Sequence, residues 1–227
     1  MDQIQKSRIS IQVSLSGYSF KVTTSDGTRS SGWMGADRIF TTQEFQRRYD
    51  EVDISLLTPK CTLVPEQFFS AETAKQMLKE VVELRDTDQV SYVHVPQFGA
   101  WLVFSNSIDE SLSRALSQTV FTTAGDTATV LPELYYILED LAAVSEYNKI
   151  VATWRDGYLH LAIAQGKSLQ LCNVYKAVDF TTAEYFLFLA MKTLQLNPEV
   201  SSISWRMPLS PEEEMSLYRY FKAVEQI

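Results

Sequence analysis

Glycine is scarce: 8 in 227 residues. Neither GxxxxGK[ST] nor GxGxxG occurs, so the two common glycine-rich phosphate loops are excluded. Cysteine is scarcer still, with only Cys61 and Cys172 and no CxxC pair. That suits a reducing compartment and gives no zinc pattern. The longest apolar run, 185–191, falls well short of the about 20 residues a bilayer span needs. The first ten residues, MDQIQKSRIS, hold no apolar signal-peptide core. Cations are outnumbered 20 to 28, for a net charge of −8. Phosphate binding relies on Lys and Arg, so this balance speaks against a nucleic-acid partner. These absences together lead to the expectation of a soluble, cytoplasmic protein without a transmembrane segment.

What is present is ample material for a core: 45% apolar residues, 12% of the chain aromatic. Residues 9–15 alternate (Ile9, Ile11, Val13, Leu15 against Ser10, Gln12, Ser14), the period of a strand with one buried face. Ser16-Gly17 makes a turn, 18–23 alternates again, Asp26-Gly27 signals a hairpin, and 28–34 reads as a third strand. Thr41 and Glu44 are spaced as a capping box for a helix over 41–50. Further on come a strand at 61–64 ended by Pro65, an amphipathic helix at 71–84, and a hairpin formed by 90–95 and 100–104. A short helix from Ser107 to about 116, a strand at 119–123 and a helix opening at Pro132 complete this part.

The pattern then restarts. Strands at 149–153, 158–164 and 168–175 are joined by turns at Asp156-Gly157 and Gly166-Lys167. A helix over 181–196 is apolar almost all round, which predicts burial on every side. A strand at 200–205 follows, then a helix announced by Ser210-Pro211-Glu212-Glu213, with Met215, Tyr218, Phe221 and Val224 on one stripe. Sliding the chain against itself by 140 residues places Gly17-Tyr18 on Gly157-Tyr158 and Phe40-Thr41-Thr42 on Phe180-Thr181-Thr182. Glu44 meets Glu184 in the same register. The halves fall at 1–145, carrying an inserted hairpin, and 146–227; repeats of this length are duplicated domains rather than solenoid units.

A duplicated β-β-β-α-β-α half resembles the plan of the actin-like ATPase superfamily, built on ribonuclease H-like halves. The run Ser10-Ile11-Gln12-Val13-Ser14-Leu15-Ser16-Gly17-Tyr18-Ser19-Phe20 is also similar to the opening of a bacterial family known as a domain of unknown function, whose structural members are actin-like. The resemblance implies an α/β fold of two ribonuclease H-like halves. In nucleotide-binding relatives an acid stands two residues before the hairpin glycine, to hold magnesium and orient water. Carried over by position, those acids fall on Leu15 and Arg155, which have no carboxylate. Gly17 and Gly157 remain as degenerate phosphate-turn positions, and Asp156 is the ordinary partner of Gly157 in a turn. The adenosine position after the last strand reads Ile203-Ser204-Trp205-Arg206-Met207-Pro208, without the glycine pair of the superfamily.

Other residues point the same way. His94 and His160 lie in strands with no ligand-spaced neighbours, as structural histidines do. Cys61 and Cys172 read as small core residues, Ser14, Ser16 and Ser19 lack a GxSxG elbow, and Glu212, Glu213 and Glu214 suit a helix start. No catalytic residue, metal ligand or cofactor is therefore expected. The expected function is non-enzymatic interaction or scaffolding with a protein partner; the alternative is a divergent nucleotide-binding actin-like protein.

Overall fold

The computed structural model describes residues 6–14, 16–106, 120, 122–126 and 128–227. Leu15 and the helix expected from Ser107 lie outside these residues, as do Thr119 and Phe121 of the strand expected at 119–123, where Thr122 makes an isolated bridge with Tyr49. The chain divides into two compact units: Met1–Leu57 with Asn106–Pro132, and Thr58–Ser105 with Glu133–Ile227.

In the first unit, β1 (Arg8–Ser14), β2 (Gly17–Thr24) and β3 (Gly27–Ser30) form an antiparallel meander. The meander is extended by β4 (Glu51–Leu56) and β8 (Val130–Pro132), both parallel to β1, giving the order β3-β2-β1-β4-β8. Ile9, Ile11 and Val13 are buried as their alternation requires, and they pack with Tyr18, Ile39, Phe45, Ile54 and Leu56. The expected helix at 41–50 is replaced by two 3₁₀ segments, Ala36–Thr41 and Gln43–Gln46. Tyr49 is drawn into a parallel bridge with Thr122, so the chain must already be extended before β4 and too few residues remain for α-helical turns. Thr41 caps nothing; its hydroxyl donates to the Arg38 carbonyl, and the Thr42 hydroxyl instead meets the Tyr18 hydroxyl at 2.6 Å.

The second unit holds two sheets. β9 (Asn148–Arg155), β10 (Tyr158–Gln165), β11 (Ser168–Lys176), β12 (Ser202–Trp205) and β13 (Ala223–Gln226) run in the order β11-β10-β9-β12-β13. Strand for strand this is the order of the first sheet. The other sheet, β5 (Cys61–Pro65), β7 (Ala100–Phe104) and β6 (Ser91–Val95), is antiparallel, with β7 central and α1 (Ala74–Lys79) packed on it. The helix expected over 71–84 is thus only six residues long; past it, Val82 and Leu84 turn back onto Ala74 and Leu78. The helix α2 (Glu133–Ala143) packs against β9 and β10.

The helix α3 (Phe180–Thr193) begins at Asp179, whose carboxylate accepts the Thr182 amide at 2.7 Å, so the cap is Asp179 and not Thr181. It is not buried all round. Ala183, Leu187, Ala190 and Met191 face the core, while Tyr185 is 61% and Leu189 44% exposed. The helix α4 (Pro211–Tyr218) has the expected capping box between Ser210 and Glu213. The expected stripe through Val224 does not stay helical, because the chain turns at 219–222 and supplies β13. That strand pairs with β12, which would otherwise be a bare edge, and tertiary pairing overrides the helical period. Each five-stranded sheet therefore has one strand more than the β-β-β-α-β-α plan.

The duplication holds in topology but not in the register read from sequence. Ser14 pairs with Gly17 where Arg155 pairs with Tyr158, and Thr24 pairs with Gly27 where Gln165 pairs with Ser168. Both turns are offset by 141 residues, not 140. A slip of one residue exchanges the faces of a strand. In the structural register Tyr18, Phe20 and Val22 meet Leu159, Leu161 and Ile163, apolar on apolar; one residue earlier they would meet Tyr158, His160 and Ala162.

Candidate functional site

The positions where chemistry would be expected are the ends of β1 and β9 and the segment after β12. At the first, Ser14 closes β1 and pairs with Gly17. Its buried hydroxyl accepts the Ser16 amide at 3.3 Å and stands 3.3 Å from the Ser16 hydroxyl, which accepts from the Trp33 indole at 3.2 Å. The Tyr18 amide donates to the Met34 carbonyl and the Met34 amide to the Tyr18 carbonyl, both at 2.8 Å. The Gly32–Trp33–Met34–Gly35 segment thus lies on the hairpin and uses its polar groups. Gly17 has φ +149°, and a Cβ there would lie 2.0 Å from the Met34 carbonyl oxygen. Only glycine fits.

At the second position Arg155 closes β9, and its guanidinium donates to the Pro208 carbonyl at 3.4 Å. Asp156 (φ +51°) and Gly157 (φ +82°) form the turn itself, the left-handed pair that two-residue hairpins favour. The Gly157 carbonyl accepts the Ala177 amide at 2.7 Å, and the Trp154 indole donates to the Ala177 carbonyl at 2.8 Å. Gly17 and Gly157 belong to different units and do different work: one accommodates a neighbouring backbone, the other makes a turn.

After β12, Trp205 is a core residue packed on Phe180 with ring centroids 5.7 Å apart. Arg206 is turned inward, bonded to Glu133 at 2.7 Å and paired with Asp140, and it lies 5.5 Å from the centre of the Tyr136 ring. Burial alone would lower its pKa, but the charges of Glu133 and Asp140 outweigh that and raise it. This ion network was not foreseen. Its three members are 66 and 73 residues apart in sequence, with only the oddity of a charged residue directly after a buried strand to signal it.

The histidines also have partners. The imidazole of His160, fully buried, lies 3.1 Å from the Thr58 carbonyl, so Nε2 is the protonated nitrogen. Burial pushes its pKa down, against the opposing effects of that bond and of Glu133. His94, on the surface of β6, pairs with Glu66. Cys61 is buried and its thiol pKa is pushed up to about 12, which makes it an inert core group; burial raises that of Cys172 as well. Among the described residues no three His, Cys, Asp or Glu side chains are grouped to hold a metal, and no helix is long and apolar enough to cross a membrane.

Comparison with known proteins gives one family. The model of a family described as protein of unknown function (DUF3822) matches residues 1–224. The chain belongs to this family. No curated protein matches the sequence. Among solved structures, a Bacteroides thetaiotaomicron protein described as having an actin-like ATPase fold and unknown function is similar at 17% identity. The match covers 99% of this chain and 91% of that one, with a TM-score of 0.67. The PilM–PilN type IV pilus biogenesis complex is similar at 12% identity over 97% and 88% of the two chains, with a TM-score of 0.53. The fold of this DUF3822 member is therefore that of the actin-like ATPases, with two sheets of one strand order.

Proposed function

We propose that this protein is a non-enzymatic interaction or scaffold protein of the cytoplasm, which keeps the actin-like fold without ATP hydrolysis. The observation that carries the reading is at the hairpin ends. Where an actin-like ATPase carries a carboxylate two residues before the hairpin glycine, this chain has Leu15 in one half and Arg155 in the other, and Ser14, which pairs with Gly17 as Arg155 pairs with Tyr158, is no carboxylate either. The carboxylates that hold magnesium and orient an attacking water in such ATPases are thus missing from both of these positions. The degenerate turn glycines, Gly17 and Gly157, are accounted for by backbone geometry. Trp205 and Arg206 are held in packing and ion pairs, so a purine after β12 would have to displace both.

A protein partner is the natural remaining role for such a fold, and the pilus relative is found in a complex with one. As units of descent the halves run 1–145 and 146–227; the inserted sheet and α2 then belong by descent to the first half and by packing to the second unit.

Thermal melts in millimolar ATP, ADP and GTP with magnesium test the reading. A nucleotide present at 100 times its Kd would stabilise the native state by about 2.7 kcal/mol, a rise of a few degrees in Tm. The expected result is no shift; a reproducible rise with any of the three establishes the divergent nucleotide-binding alternative instead.

A further inference from the structure

Each sheet has two outer strands, whose unpaired backbone groups are a template for one more strand unless something blunts them. Among the described residues, five of the six are blunted. β3 has four residues and carries Arg29; β8 has three and ends in Pro132; β13 has four and carries Glu225. β11 carries a bulge at Gln170, opposite Ile163 and Ala164, and its Val174 amide is taken by the Asn173 side chain at 2.9 Å. β5 ends in Pro65 and packs against β11. β6 has none of these devices: no proline, lysine, acid or bulge between Ser91 and Val95, and Ser91, Tyr92 and His94 are exposed.

Beside the start of β6 lies a recess of about 550 Å³, within the size range of ligand pockets. Ala71, Ala74 and Val90 give it an apolar lining, and the Tyr92 ring, 43% exposed, stands at its edge. Glu72 and Asp86 also line it, and neither makes a hydrogen bond or ion pair among the described residues. Asp88 is occupied by Lys60 and by the Arg85 amide; Lys75 is the recess's own cation. From Glu66 to His94 the chain has six carboxylates against three Lys or Arg, so this part of the surface favours a positive group.

We propose that β6 receives an extended segment of a partner protein as a fourth strand, with one Lys or Arg of that segment seated in the recess between Glu72 and Asp86. The inference rests on the interaction reading above and names the chemistry of the partner. Main-chain bonds along β6 would supply affinity, and the recess would supply selectivity. The methylene stem of the basic residue would lie on Ala71, Ala74 and Val90, with its charge near the Tyr92 face. Lys75 disfavours a second adjacent cation, so the fitting segment has one basic residue among strand-forming neighbours.

A random 12-residue peptide display library selected on the full chain supplies the probe. Enriched peptides are synthesised and titrated by fluorescence anisotropy against the wild type and a Glu72→Lys/Asp86→Lys variant, whose fold is checked by circular dichroism. The expected peptides carry a Lys or Arg among Val, Ile or Thr, and charge reversal weakens them by about tenfold or more. N-methylation of alternate amides should abolish binding in one register and spare it in the other, because only every second amide of an added strand faces the edge. Failure to enrich any peptide overturns the β6 site. So do peptides indifferent to both charge reversal and N-methylation, which would bind elsewhere and leave the interaction reading standing; that reading falls separately, to a nucleotide-dependent rise in the melt.

Discussion

The opening hairpins of the two halves reach the same topology by opposite means. In the second, strain is placed inside the turn, where Asp156 and Gly157 both adopt positive φ and little surrounds the glycine: the nearest atom to a Cβ would be the Ala177 oxygen at 3.9 Å. In the first, the glycine stands just past the turn, because Met34 pairs with Tyr18 and brings its carbonyl onto the Gly17 Cα. One hairpin is shaped by local turn preference and the other by a distant segment lying on it. A repeated Gly-Tyr pair therefore marks two different backbone problems.

The largest expected effect comes from what secures the surroundings of the second hairpin. Arg206 donates its amide to the Ala152 carbonyl of β9 and its guanidinium to Glu133, which is fully buried. Arg206→Ala leaves that carboxylate without its counter-charge and should cost about 3–5 kcal/mol. Adding Glu133→Leu should return part of the loss, since a buried pair replaced whole is far less damaging than one partner left alone. Urea denaturation of the two variants checks both statements. A loss of under about 1 kcal/mol for Arg206→Ala would mean that the network does not hold this half together.

The glycines give the next contrast. Gly17→Ala places a methyl group within 2.0 Å of backbone oxygen and requires the Gly32–Gly35 segment to move, at an expected cost of about 3 kcal/mol. Gly157→Ala meets only the Ala177 oxygen, at ordinary contact distance, and loses the glycine's ease at positive φ, about 1–2 kcal/mol. Equal losses in denaturant titrations would break the comparison, and a larger loss at Gly157 would reverse it.

How much of this was legible in the sequence depends on the range of the interaction. The strands of both meanders were readable because a period of two is local, and so was the Ser210–Glu213 capping box. The 3₁₀ segments before β4 were not, since a bridge from Tyr49 to Thr122 decides them. Nor was β13, whose Val224 continues the helical stripe of Tyr218 and Phe221 until β12 offers an edge. The one-residue error in the repeat has the same origin: identity favoured aligning Gly with Gly, while the pairing of the strands makes Tyr18 the counterpart of Leu159. At the candidate site the missing carboxylate at Arg155 was visible by position, whereas the inward Arg206 depends on Glu133 and Asp140 from a helix far along the chain.

The smallest effect concerns His160, the residue that fills on β10 the face Tyr158 and Ala162 share. Its native pKa lies below that of the unfolded chain, so between the two values the unfolded state binds the extra proton. The stability it contributes is therefore complete above the unfolded value of about 6.5 and is lost as pH falls through and below it. Melts from pH 7.5 to 5 should show Tm declining across this window. His160→Gln can still donate to the Thr58 carbonyl but cannot titrate, so its decline should be shallower than that of the wild type. If His160→Gln declines as steeply as the wild type, burial of the imidazole at position 160 is not what sets the acid response.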